Sequence, residues 1–420
     1  MYNSSLLSNS GPSTSSALDL AYDWLTTCRT SQSFHVRCNE THLKEPGWYP
    51  TRLIDIGERG ARNWNLRVIS QDGKPDSAAR YMTLSYRWGE NPTLLLLKSN
   101  IDDLRAGNLI HKLPLTFRDF IIVARRFVVR YVWIDALCII QDSESDWEAE
   151  APMMRYVYAN SVCNVAASAS SDPEGGLFRE RPAKSLMPGL ISSSPFSDRT
   201  QNYFIADIDY WKHEVDYGPF HKRGWVYQEI LLAPRILYFD QKQILWECSA
   251  ERNSEFGFRS GTSPAYPLQK NQLFRYLTAS SDAESGQMSE NIQKLWMELV
   301  QEYSSCVLTK PCDKLFAFSG IAKLFQQYTN DVYVAGLWKS RLVETMDCYV
   351  ALPKPLSSST YLAPSWSWAA LDGPVLRAAF RERVYDVKVL DLQFTTGSDP
   401  TIDVTDAHLK LRARTIPASY

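Results

Sequence analysis

The stretch from Tyr81 to Asp142 constrains the fold more than any other part of the chain. Tyr81-Met82-Thr83-Leu84-Ser85-Tyr86 reads as a buried central strand. After a polar connection, Leu113-Pro114-Leu115-Thr116 opens a helix with Thr116 as its expected cap. Phe117, Phe120, Ile121, Ala124, Phe127 and Val128 then fall on one helical face. The run Tyr131-Val132-Trp133-Ile134-Asp135 follows at once, an apolar strand closing on a carboxylate. Strand, helix and strand in this order predict a βαβ unit, hence a parallel sheet with a right-handed crossover. Open parallel sheets bind ligands beyond the carboxyl ends of their strands, which is where Asp135 and the cluster Ser85-Tyr86-Arg87-Trp88-Gly89 lie.

The 420 residues are enough for two or three domains with real cores. A hydrophobic fraction of 45% and a formal net charge of −2 fit a globular protein and offer no basic face for nucleic acid. No apolar run approaches the roughly 18 residues of a membrane span, and the Ser-rich start lacks the core of a signal peptide, so cytosol or nucleus is the default, with a cytoplasmic location expected. The 8 cysteines have no regular spacing and fit reduced, buried thiols. Cys28, His35 and Cys38 are ligand types at short spacing, but a structural zinc site needs four ligands. A small packed N-terminal element is expected there, with no metal or resident cofactor.

Along the chain, residues 1–16 read as a disordered tail and 17–50 as a helical N-terminal element, with a helix over Ala17 to Thr27. Thr51-Arg52-Leu53-Ile54-Asp55-Ile56 and Leu66-Arg67-Val68-Ile69 predict a hairpin. Ser145 to Ser161 is amphipathic, with Pro152 expected to kink or split it. Strands are expected near Cys163 to Ser168, Arg235 to Phe239 and Ile244 to Cys248, and Ser170 to Asp198 reads as a long irregular connection. A linker over 251–290 leads to a helical, then β-rich, region over 291–420. The 13 Trp and 22 Tyr favour a large core in which their polar tips find partners.

Several of these motifs, in this order, resemble the fungal heterokaryon incompatibility (HET) domain. They are Tyr81 to Gly89, Leu113-Pro114 with Thr116 and Asp119, Tyr131 to Gln141, Asp146-Trp147 with Glu150, Met154 to Tyr158, and Arg223-Gly224-Trp225-Val226-Tyr227-Gln228-Glu229. The motif core spans 81–229, within an expected domain of 51–250. Arg52-Leu53-Ile54-Asp55, Asp313-Lys314-Leu315-Phe316-Ala317 and Ala363-Pro364-Ser365-Trp366-Ser367-Trp368 look like the wider family. The resemblance implies nonself recognition after hyphal fusion, ending in programmed cell death. A partner incompatibility protein is the expected binding partner, with a homo-oligomer as the alternative assembly. It also implies a TIR-like α/β fold, a parallel sheet flanked by helices, and some TIR domains cleave NAD with a helix glutamate that follows a Trp. Here Trp147 and Glu150 are three residues apart where the TIR pattern has four, and both spacings keep the pair on adjoining turns.

NAD, as a substrate, would need a carboxylate facing the ribose and a site that excludes water. Glu150 is the candidate catalytic carboxylate, about 70° off the centre of the Trp147/Ala151/Met154/Tyr158 stripe; a glutamate there is otherwise a solvated border residue. Candidate substrate contacts are Ser85, Arg87, Trp88 and Asp135, with Trp225 and Gln228 as further lining. Each has a plain structural role beside it: Asp135 as a turn acceptor, Trp88 and Gly89 as a packed turn, Trp225 as a core plug. Cys138, between apolar neighbours, reads as an inert thiol. A non-enzymatic, self-associating scaffold is the rival reading.

Overall fold

A computed structural model describes residues 14–31, 33–39, 47–76, 79–180, 189–193, 201–205, 209–255, 270–279, 286–351, 361–377, 386–397, 399, 401–402 and 404–414. They form two compact units, 1–221 with 232–266, and 222–231 with 267–420.

The first unit is built on a nine-stranded sheet. Its strands are β1 (Arg52–Asp55), β2 (Asn63–Val68), β3 (Tyr81–Ser85), β4 (Asn108–Leu109), β5 (Tyr131–Trp133), β6 (Asn164–Ala166), β9 (Arg235–Phe239), β10 (Ile244–Cys248) and β11 (Arg252–Ser254); a separate hairpin pairs β7 (Gly189–Ser193) with β8 (Gln201–Ile205). The order across the sheet is β11-β10-β9-β6-β3-β5-β1-β2-β4. The four central strands run parallel, β9-β6-β3-β5, and the pairs on either side are antiparallel. Chain order along these four is the doubly wound 2-1-3-4 arrangement, with its reversal at β3 between β5 and β6. All five residues of β3, and all three of β5 and of β6, are buried, as strands covered on both faces require.

The expected βαβ unit is present: β3 and β5 are joined through the helix Leu115–Arg126, whose Phe117, Phe120, Ile121, Val123 and Ala124 are buried. Two details differ. Pro114, not Thr116, occupies the cap position, because the Thr116 hydroxyl is buried and accepts from the Gly176 N–H at 3.0 Å. Val128 lies past the helix end with φ 58° and is 81% exposed, so the apolar face stops at Phe127. The first helix is longer than expected, Thr14–Thr30. Within 251–290, which reads as a linker, lie β11 and the helix Lys270–Ala279. The tail 1–13 and residues 181–188 and 194–198 of the long connection lie outside the described residues.

The second unit packs an aromatic core between the helices Glu290–Ser304 and Phe316–Thr329. Trp296 lies 5.1 Å from Phe318, 5.0 Å from Phe325 and 5.2 Å from Trp338 between ring centroids. Trp296 and Trp368 both donate to the Gly336 carbonyl, as aromatic tips were expected to do. Trp64, Trp133, Trp246 and Trp338 instead bury their indole N–H without a partner among the described residues, so packing outweighs one hydrogen bond at those positions. A long hairpin, Val387–Thr396 with Val404–Ala413, supplies the β-rich end.

Candidate functional site

The carboxyl ends of β3, β5 and β6 lie along one edge of the sheet because the strands are parallel. Ser85 ends β3 and is 1% exposed. It exchanges hydrogen bonds with Asn164, whose Nδ2 donates to Ser85 Oγ at 2.9 Å and whose Oδ1 accepts from Thr83 at 3.1 Å. A buried polar ladder therefore ties β3 to β6 at the chain reversal. Arg87 Nε donates to the Ser170 carbonyl at 2.6 Å, and Trp88 Nε1 donates to Asp135 Oδ2 at 2.7 Å. The other Asp135 oxygen accepts from the Ala136 N–H at 2.7 Å, and Asp135 opens the short helix Asp135–Cys138. Four of the candidate contacts, Ser85, Arg87, Trp88 and Asp135, are thus gathered on one sheet edge and bonded into it.

The same edge carries residues to which the sequence reading gave no site role. Asp119 is buried, and its Oδ2 accepts from the Leu177 N–H at 2.8 Å and the Phe178 N–H at 3.4 Å. Burial raises the Asp119 carboxyl above its ordinary range against these bonds. Arg179 donates to Ser170 Oγ at 2.6 Å, so Arg87 and Arg179 converge on one serine. Gly89, with φ 71°, lets the chain pass so close to Asp172 that an added Cβ would sit 2.8 Å from the Asp172 Cβ. These side chains fold the loop 170–179 over the strand ends.

Glu150 is held elsewhere in the unit. The helix Glu144–Glu150 gives way at Pro152 to a 3-10 turn, Ala151–Met153, and resumes as Met154–Asn160. The tighter turn breaks the 100° progression, and Glu150 is buried, 6% exposed, rather than on the border of the core. Its partners are Thr51 and Arg52, the latter 3.8 Å away. Desolvation raises its carboxyl above the ordinary range, although Thr51 and Arg52 pull the other way. Arg52 also donates to the Cys138 carbonyl at 2.9 Å and grips both oxygens of Asp146. One buried arginine therefore joins Glu150, Asp146 and the end of the helix that Asp135 begins. Burial pushes the Cys138 thiol up to about 12, as an inert thiol requires.

Trp225 and Gln228 belong to the second unit. There Trp225 Nε1 donates to Asp313 Oδ2 at 3.1 Å, Tyr227 donates to Glu302 at 2.9 Å, and Gln228 is 1% exposed. A cavity of about 440 Å³ in the first unit is lined by Asp55, Asn65, Arg67, Asp72, Asp102 and Arg105, and by none of the expected site residues. Among the described residues, ligand-type side chains also gather where Cys28, His35 and Cys38 are joined by Cys248. Sequence spacing could not supply this fourth residue, which lies far along the chain at the end of β10.

No curated protein and no solved structure gives a significant match to the chain. Residues 81–229, from the first residue of β3 to the Gly224–Leu232 helix, match the family described as Heterokaryon incompatibility protein (HET). This segment holds the parallel strands β3, β5 and β6, the Asp119 clamp, and the Trp88–Asp135 bond. Over residues 81–229 the chain therefore carries a heterokaryon incompatibility (HET) domain.

Proposed function

We propose that this protein acts in nonself recognition in the cytoplasm and signals cell death when a partner incompatibility protein, or further copies of the chain, engage it. The family match over residues 81–229 carries this reading. Among the described residues no helix is long and apolar enough to cross a membrane. The sheet edge supports signalling by contact, since Asp135, Arg87 and Asp119 are each bonded to the protein itself. Fusion of hyphae expressing the chain with hyphae lacking it tests the reading through uptake of a vital dye in the fusion cells. Dye entry confined to mixed fusions is expected; equal survival of mixed and self fusions, at confirmed expression, refutes the reading.

One observation favours NAD hydrolysis as the output. Glu150 is a buried carboxylate on the helix that carries Trp147, and desolvation holds it more basic than usual. Such a group, once freed from Arg52, is suited to face a ribose with oxocarbenium character. Nicotinamide release from NAD by concentrated purified protein should then vanish in Glu150→Ala and persist in Glu148→Ala, whose side chain is exposed. Absence of release from the wild type at every concentration leaves the self-associating scaffold as the mode of action.

A further inference from the structure

We infer that Cys28, His35, Cys38 and Cys248 form a structural zinc site that fastens the N-terminal helix to the sheet. Their ligand atoms all lie within 4.8 Å of one another, and each residue is at most 3% exposed. His35 Nδ1 is 3.7 Å from Cys38 Sγ and 3.6 Å from Cys248 Sγ. Zinc bonds of about 2.3 Å to sulfur and about 2.0 Å to nitrogen put tetrahedral ligand atoms about 3.5–3.8 Å apart, so these separations suit one ion between them. A Cys3His set without an exposed position is structural rather than catalytic.

The surroundings match what a zinc centre needs. His35 turns Nδ1 toward the sulfurs and Nε2 toward Glu251 Oε1 at 3.6 Å, the carboxylate–histidine arrangement that fixes tautomer and ring orientation. Arg235 donates from Nε to Cys28 Sγ at 3.1 Å and from Nη1 to the Val162 carbonyl at 3.3 Å, and its remaining nitrogen holds Asn39. Asn39 in turn donates to the carbonyls of Cys28 at 3.1 Å and His35 at 3.3 Å. Three thiolates and a neutral imidazole around a divalent ion leave one net negative charge, and the Arg235 guanidinium supplies the balance. Zinc entry displaces the three thiol protons to solvent, with no change of oxidation state.

The site also explains its own position. Cys28 lies near the end of the helix Thr14–Thr30, His35 and Cys38 in the turn and short helix Val36–Asn39 that follow, and Cys248 is the last residue of β10. The helix packs through buried Ala21 and Leu25 and the Trp24–Trp246 ring contact at 6.4 Å, and Cys28, His35 and Cys38 lie beyond these contacts, at its end and in the turn and short helix that follow. A metal closing a loop of this length removes much of the freedom of the unfolded chain.

Elemental analysis of the full-length protein, purified without chelator, tests the assignment. About one zinc per chain is expected, retained in Cys312→Ser, whose thiol is exposed, and lost in Cys248→Ser. Glu251→Gln should still fill at saturating zinc with affinity lowered about 10–100-fold. Should Cys248→Ser not fold, cobalt titration of reduced, chelator-stripped wild type decides through the visible bands of a tetrahedral thiolate complex. Absence of both zinc and those bands overturns the proposal, as does a disulfide between any two of the three cysteines in non-reducing peptide maps.

Discussion

Replacing Gly89 with alanine tests whether the turn after β3 is built by close packing against the loop 170–179. Gly89 has φ 71°, a region that costs an L-residue about 1–2 kcal/mol. The new Cβ would stand 2.8 Å from the Asp172 Cβ and 3.6 Å from its Cα. Carbon atoms rest at roughly 3.5–4.0 Å, so the two segments must separate by about 0.7 Å or more. A β-carbon cannot rotate away, and Asp172 is further fixed by accepting from the Glu174 N–H at 2.9 Å. Such overpacking adds about 1–3 kcal/mol, giving a total loss of about 2–5 kcal/mol. Gly60→Ala is the control, since Gly60 has φ 96° and none of the described residues within 4 Å of an added Cβ, and should lose only the backbone part. Urea denaturation followed by tryptophan fluorescence measures both variants. Asp172→Gly removes the opposing carbon, so Gly89→Ala should cost about 1–3 kcal/mol less in that background. Equal losses for Gly89→Ala and Gly60→Ala, or a coupling below about 0.5 kcal/mol, refute the packing argument.

Three further predictions address the buried charges. Asp146→Ala leaves Arg52, with 8% of its side chain exposed, without its two-point partner and should cost about 3–5 kcal/mol in urea denaturation; a loss under about 1 kcal/mol contradicts the network. Glu150 binds its proton more tightly folded than unfolded, so wild type should lose stability relative to Glu150→Gln as pH rises from the ordinary carboxyl range through the raised folded value. A gap that stays constant with pH contradicts this. Asp119→Ala removes the acceptor of the Leu177 and Phe178 N–H groups and should cost about 1–3 kcal/mol, with faster amide exchange at those two positions; unchanged exchange there counts against the clamp.

Local pattern was legible where one element decides it. The runs Arg235–Phe239 and Ile244–Cys248 carry enough apolar residues to define strands, and the face Phe117 to Phe127 defines a helix. The sheet edge was legible too, because Ser85 and Asp135 follow apolar strands in a βαβ unit. What escaped depends on partners far along the chain. Glu150 reads as a border residue only on a stripe that runs unbroken through Pro152, where the helix tightens into a 3-10 turn. Its partner Arg52 is an arginine at the start of a strand, and no spacing rule says that it turns inward. The three ligand types near the N-terminus looked incomplete because Cys248 reaches them only once β10 has taken its place beside β9. Trp225 and Gln228 read as neighbours of the site, yet the fold assigns 222–231 to the second unit, with Trp225 on Asp313.

The proposed conversion of recognition into cell death is tested most directly by the viable count of filamentous fungal cells after induced, high-level expression of the wild-type chain beside Glu150→Gln at matched protein levels. The account predicts a collapse in viability with the wild type. Cells that keep dividing at full rate with abundant, folded wild-type protein would contradict it.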